Sequence, residues 1–230
     1  ECGNALPASL LYARRPFIQV RNYEHVPKHQ TKGGWVHRTG YHLVNLNALL
    51  YAGHRPLPPV RRRSRLVYFG RYRPDRMRYL LTLNGSGCDV STSRKNVADY
   101  RKAGLVDVRY VGTLTWHAGR EMLRQWDYGV YAEDVYTHTN YNHMANRWYE
   151  MLNCAVVPIM HVSTQGTMSR AGYDAAKALV YEGAGALAEI AETEPKQHEA
   201  WYNYAHEAAN LERLRAREQL IRLIENGGEG

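Results

Sequence analysis

From residue 66 onward, short apolar runs alternate with longer stretches of helical spacing, and each run predicts a strand. Residues 66–69 (LVYF), 88–91, 106–111 and 128–132 are such runs, and another begins near Ala155. Residues 76–83 read as an amphipathic helix opened by Pro74 and Asp75, both suited to a helix start. Asn84, Gly85, Ser86 and Gly87 then turn the chain. Ser93 caps a helix that runs to about Ala103, where Gly104 ends it. Further helices are expected around residues 118–126 and from Met144. Strand and helix in regular succession predict an α/β fold: an open parallel sheet with helices on both faces. Long helical patterns over residues 173–191 and 197–224 close the chain, and no solenoid-type period is present.

Before residue 66 the pattern is less regular. Residues 16–20 (PFIQV) read as a short strand, followed by a polar turn closed by Pro27. Leu43, Leu46, Leu49 and Leu50 suit a short helix or mixed segment. Pro56, Pro58 and Pro59 then stiffen a connection that Arg61, Arg62, Arg63 and Arg65 keep in solvent, so a domain boundary is expected there. The chain opens on Glu1 with no periodic pattern before Phe17, which reads as a fragment, a processed chain or a gap in the record. The resulting division is a partial N-terminal domain with linker over residues 1–60, a nucleotide-binding domain over 61–175, and C-terminal helices over 176–230.

Composition narrows the class of protein only modestly. With 44% hydrophobic and 23% charged residues the chain is an ordinary globular one. Cys2, Cys88 and Cys154 lack metal-site spacing and cannot all pair, so they are expected to be structural in a reducing compartment. No apolar run nears the roughly 20 residues of a membrane span, and the start lacks a signal-peptide pattern, so a cytoplasmic location is expected. A formal charge of +8 is compatible with a polyanionic partner.

Candidate chemistry gathers in the loops that follow the strands. Ligands of open α/β sheets sit beyond the carboxyl ends of the strands, which is where residues 133–143 fall, with a helix N-terminus facing them. On that helix Arg147 and Glu150 stand one turn apart, and a carboxylate there can accept two hydrogen bonds from a ribose diol. The same spacing also fits an ion pair on a solvated helix face. Gly70, Arg71, Arg73 and Arg76 cluster after the 66–69 strand, where guanidinium groups grip phosphate oxygens bidentately. Gly112, Thr113 and Leu114 offer backbone groups to a base edge. In the N-terminal part, Glu24 and His25 are an adjacent acid and imidazole in a strand-end loop, a setting for a catalytic base. Lys28, Lys32 and Arg38, with Trp35 among them, form either a nucleic-acid contact or a solvated basic loop.

Three segments in order, VYFGRYRPDR, YVGTLTW and TNYNHMANRWYEMLNCAVVPI, resemble the DNA β-glucosyltransferases of T-even phages. These are GT-B enzymes that move glucose from UDP-glucose to 5-hydroxymethylcytosine in duplex DNA. The resemblance covers residues 66–174 and implies a GT-B-like fold, with a UDP-sugar and double-stranded DNA carrying modified pyrimidines as partners. It implies no required cofactor, with a divalent metal at most stimulatory, and a monomer acting away from membranes, in the host cytoplasm if phage-encoded. By position it assigns Arg73 and Arg76 to the diphosphate, Gly112, Thr113 and Leu114 to the uracil, Asn140, Tyr141 and Asn142 to the sugar, and Glu150 to the ribose. The interval between the two arginines is shorter here than in the family. Where the family has its aspartate base, Tyr23 stands, so Glu24 is the expected base and Asp134 the second candidate. The competing readings are a GT-B enzyme with another acceptor, a sugar-nucleotide epimerase, and a nucleic-acid-binding module without activity.

Overall fold

The computed structural model describes residues 17–21, 28–31, 34–37, 41–49, 51, 65–114, 122–135, 138, 144–174 and 176–225, with only the backbone described for residues 17–47 and 223. Strands β5 (Leu66–Phe69), β6 (Asp89–Ser91), β7 (Arg109–Val111), β8 (Tyr128–Tyr131), β9 (Val157–His161) and β10 (Val180–Tyr181) form a six-stranded sheet in the order β10-β9-β8-β5-β6-β7. Every pairing in it is parallel. Around it lie α2 (Met77–Leu80), α3 (Arg94–Lys102), α4 (Asn146–Asn153), α5 (Gln165–Arg170), α6 (Ala184–Glu192) and α7 (Glu199–Glu225). A parallel sheet with helical crossovers is covered on both faces, which is why β8 and β9 are buried along their whole length.

Local chemistry fixes several boundaries where the sequence expects them. The Ser93 side chain accepts from the Asn96 N–H at 3.4 Å to start α3, and Gly104 takes φ +95° just beyond its end. At the end of α4, Val156 N–H donates to the Met151 carbonyl at 3.1 Å and Ala155 N–H to Leu152 at 3.3 Å. That is a Schellman turn, with Ala155 in the left-handed conformation at φ 55°. The core is rich in large aromatics, among them Tyr68, Tyr100, Trp126, Tyr128, Tyr131, Trp148 and Tyr149. Cys88 and Cys154 are free and buried.

One expectation needs correction. Residues 173–191 do not form one helical stretch, because β10 interrupts them and extends the sheet beyond β9 before α6 begins. Arg65, half-exposed at the end of the basic run, donates to the carbonyls of Glu192 and Thr193 at 3.2 and 3.1 Å and so holds the end of α6.

Ahead of the large sheet, β1 (Phe17–Arg21) pairs in parallel with β4 (Tyr41–Asn45), and β2 (Lys28–Thr31) pairs with β3 (Gly34–His37) as an antiparallel ribbon. The helix α1 (Leu46–Leu49) follows β4, settling the mixed segment as strand then helix. The long helix α7 packs on α1, β4 and α4, and so connects this early part with the large sheet. Tyr149 and Tyr173 both donate to Glu212 of α7, at 2.7 and 2.8 Å. No described helix is long and apolar enough to cross a membrane.

Candidate functional site

The strand order creates a crevice at one place. From β5 the chain passes to β6 on one side, while β8 lies on the other, so the loops leaving β5 and β8 diverge at their carboxyl ends. Gly70 follows β5 and the acidic pair Glu133 and Asp134 follows β8, which brings both loops to this switch point.

Charged side chains are concentrated there. The buried carboxylate of Glu133 bridges two guanidinium groups, with Oε1 accepting from Arg147 Nη1 and Oε2 paired with Arg76 Nη2. Asp134, also buried, lies 3.5 Å from Arg76 and 3.7 Å from Arg73. Arg147 further donates from Nε to the Phe69 carbonyl at 2.8 Å and from Nη1 to the Ala132 carbonyl at 3.2 Å. One side chain from α4 thereby ties the ends of β5 and β8 together. Burial disfavours the charge on Arg76 and Arg147, but their neighbours together, Glu133 foremost, outweigh it and both guanidinium groups are held above their ordinary pKa.

Gly70 is shaped by this strap. A Cβ there would stand 2.7 Å from Arg147 Nη2 and 3.1 Å from the Tyr68 hydroxyl. The guanidinium is fixed by its carbonyl and carboxylate partners and has little room to retreat. Gly70→Ala is therefore expected to lower stability by about 1–3 kcal/mol, the usual cost of overpacking, read from the urea midpoint. A variant as stable as wild type would show that Arg147 moves aside freely.

The helix bearing Arg147 is itself closely seated. Tyr131 accepts the Ala145 N–H at 2.8 Å, which fixes the first turn of α4. At Gly129 a Cβ would collide with the Met151 side chain, so glycine leaves room for Met151 of the helix to pack directly on β8. One turn beyond Arg147, Glu150 is partly buried and accepts from Asn146 Nδ2 at 2.6 Å. Burial raises its carboxyl pKa, an effect partly offset by Arg147 and Asn146.

His138 braces the loop that leaves β8. Its Nε2 accepts the Glu133 N–H at 3.2 Å, which leaves its proton on Nδ1. Its carbonyl accepts from Thr167 Oγ1 at 3.1 Å and from Arg170, and its ring packs edge-on to Tyr79 at 5.8 Å. Burial pulls the imidazole pKa down to about 4, with Asp134 opposing, so the ring is neutral at neutral pH.

The switch point thus gathers Gly70, Arg73, Arg76, Asp134, Arg147 and Glu150 from the residues singled out in the sequence. Arg71 is exposed on the same loop. Gly112, Thr113 and Leu114 follow β7 at the sheet edge, three strand positions from β8. At about 4.8 Å per strand the ends of β7 and β8 stand roughly 14 Å apart. Glu24, Lys32, Arg38, Asn140, Tyr141 and Asn142 lie outside the described residues. Lys28 stands on β2 and Trp35 on β3, opposite strands of one ribbon and not a loop. The sequence points to residues 133–143 beyond a strand's carboxyl end but gives Glu133 no role of its own, and nothing in it singles out His138. The signal for Glu133 was its place at a strand's carboxyl end.

No protein-family model matches the chain, and no curated protein matches it by sequence. Solved structures do match by shape. One is the DNA-modifying enzyme β-glucosyltransferase, determined in the presence and absence of uridine diphosphoglucose, with TM-score 0.64 and 11% identity over 83% of this chain and 60% of that one. Another is the T4 phage enzyme in complex with UDP and Mn2+, with TM-score 0.63 and 10% identity over 83% of this chain and 56% of that one. The chain therefore spans little more than half the length of the proteins it matches. At such identity the likeness is one of fold, and the fold is that of the GT-B glycosyltransferases.

Proposed function

We propose that the protein is a glycosyltransferase that takes a sugar from a UDP-sugar and transfers it to hydroxymethylated pyrimidines in DNA. The observation that carries this reading is the meeting of Arg73, Arg76 and Arg147 at the switch point, with Glu150 one helical turn away. Guanidinium groups suit a diphosphate and a partly buried carboxylate suits a ribose diol. The GT-B fold supports a sugar-nucleotide donor, and the net charge of +8 supports a polyanionic acceptor.

In the proposed reaction the acceptor hydroxyl gives its proton to a carboxylate as its oxygen bonds to the anomeric carbon. The bond from that carbon to the β-phosphate oxygen breaks, and its electron pair leaves with UDP. The configuration inverts. Exposed Arg73, 3.7 Å from Asp134, turns toward the departing phosphate and stabilises the developing charge. A base within duplex DNA must be flipped out to reach such a site. Lys28, Lys32, Trp35 and Arg38 are the proposed contacts to that DNA, with Gly112, Thr113 and Leu114 for the uracil and Asn140, Tyr141 and Asn142 for the sugar.

The deciding experiment incubates the protein with UDP-glucose and hydroxymethylated or unmodified duplex DNA, followed by nucleoside mass analysis. A hexose on the modified base alone supports the proposal. Binding to DNA with a steep salt dependence and no transfer from any UDP-sugar would replace it with a binding module.

Glu150 gives a test of the donor site alone. It must be ionised to accept two hydrogen bonds from the ribose, and its carboxyl pKa is raised above the ordinary 4.5. UDP-glucose affinity is therefore expected to fall as pH drops through that raised value, above the range of an ordinary glutamate. In the donor-free protein the same shift works oppositely, since the folded state takes up the proton more readily and gains stability from this residue as pH falls. Glu150→Gln should bind UDP-glucose more weakly and lose this acid limb in calorimetric titrations. An unchanged affinity and pH profile would remove Glu150 from the site.

A further inference from the structure

The carboxylate of Glu133 occupies an unusual position for a residue that is neither surface charge nor simple ion-pair partner. Its two oxygens take one arginine each, Arg147 from α4 and Arg76 from the turn before α2. Two guanidinium groups converging on two oxygens of one anion is the arrangement that a diphosphate would require of the same arginines. Building on the donor-site reading above, we infer that Glu133 is an internal counter-ion that holds these arginines in the donor-free protein and that the donor's diphosphate displaces.

The surrounding contacts allow such an exchange. Arg147 keeps the Phe69 and Ala132 carbonyls when the carboxylate leaves, and Arg76 keeps Asp134 at 3.5 Å. Both guanidinium groups therefore stay near their present positions. The backbone of Glu133 is held by its N–H bond to His138, so the exchange needs only a side-chain rotation. The device solves a physical problem: without an anion between them, two buried like charges would repel and lack compensation. Its consequence is that donor affinity is lower than the arginines alone would give, because each binding event must first break the two contacts to Glu133.

The test is calorimetric titration of UDP, and separately of inorganic pyrophosphate, into wild type, Glu133→Gln, Glu133→Asp and Asp134→Asn, with folding verified by circular dichroism. Loss of a competing charge-assisted contact is expected to tighten Glu133→Gln binding by roughly tenfold or more for both ligands. Glu133→Asp keeps the charge but cannot span both arginines, so it too should bind more tightly than wild type, and it carries the test if the Gln variant does not fold. Asp134→Asn removes an equal charge beside Arg76 but leaves both Glu133 contacts in place, and should change affinity less than Glu133→Gln does. If Glu133→Gln and Asp134→Asn gain equally, or if Glu133→Asp binds no better than wild type, Glu133 acts only through its charge and the exchange is refuted. Wild-type binding without any gain in the variants overturns this inference alone, whereas no binding to any of the proteins overturns the donor-site reading with it.

Discussion

Arg147→Ala is expected to destabilise the protein by roughly 3–5 kcal/mol, the cost of breaking a buried ion pair from one side. The variant would leave the Glu133 carboxylate buried with Arg76 alone, and it would strip the carbonyls of Phe69 and Ala132 of their donor. For a chain of this size that loss corresponds to a fall in melting temperature of roughly 6–20 °C. Arg147→Lys should recover only part of it. An ammonium keeps the charge but lacks the planar fork that reaches one carbonyl through Nε and another through Nη1. The double variant Glu133→Leu with Arg147→Met should be more stable than Arg147→Ala, because the half-paired carboxylate goes with its arginine while Arg76 keeps Asp134 at 3.5 Å. Melting curves of Glu133→Leu, Arg147→Met and the double variant close the cycle that gives the coupling energy. Should Arg147→Ala melt within a few degrees of wild type, the strap between β5 and β8 has no part in stability.

The same residue shows how far the fold could be read from the chain. β5, α3, β8, α4 and β9 were legible because each combines a local period with local punctuation: LVYF before Gly70, Ser93 before the α3 helix, Gly104 after it. β10 was not legible. Val180 and Tyr181 form a strand of two residues inside a stretch rich in Ala, Leu and Glu, whose helix propensity hides it, and only pairing to Met160 and His161 makes it a strand. The β2 and β3 ribbon was concealed in the same way, since its strands are polar and alternate with no apolar face that a period would reveal. At the site, residue types were legible and partners were not. Arginines, a glycine and a glutamate could be named from their order, but that Glu133 joins Arg76 to Arg147 is a consequence of the switch point bringing distant loops together. Sequence spacing carries no information about which charge in a crevice neutralises which.

Glu24→Gln is expected to lower the rate of sugar transfer to hydroxymethylated duplex DNA by roughly 10²–10⁴-fold, the range for loss of a general base. Glutamine keeps the shape and hydrogen bonding of the residue but cannot take the acceptor proton. UDP affinity should not change, because a residue acting on the acceptor contributes nothing to holding the donor. Asp134 is the rival base, and its surroundings argue against it. Its carboxylate is buried and already faces Arg76 at 3.5 Å and Arg73 at 3.7 Å, so an acceptor hydroxyl would have to compete with two guanidinium groups for its oxygens. Asp134→Asn is thus expected to disturb the arginines more than the proton transfer, altering UDP affinity together with rate. Initial transfer rates and UDP titrations on wild type and both variants separate the two assignments. A Glu24→Gln enzyme of normal rate removes Glu24 from the chemistry, and an Asp134→Asn enzyme that binds UDP normally yet transfers no sugar moves the base to Asp134.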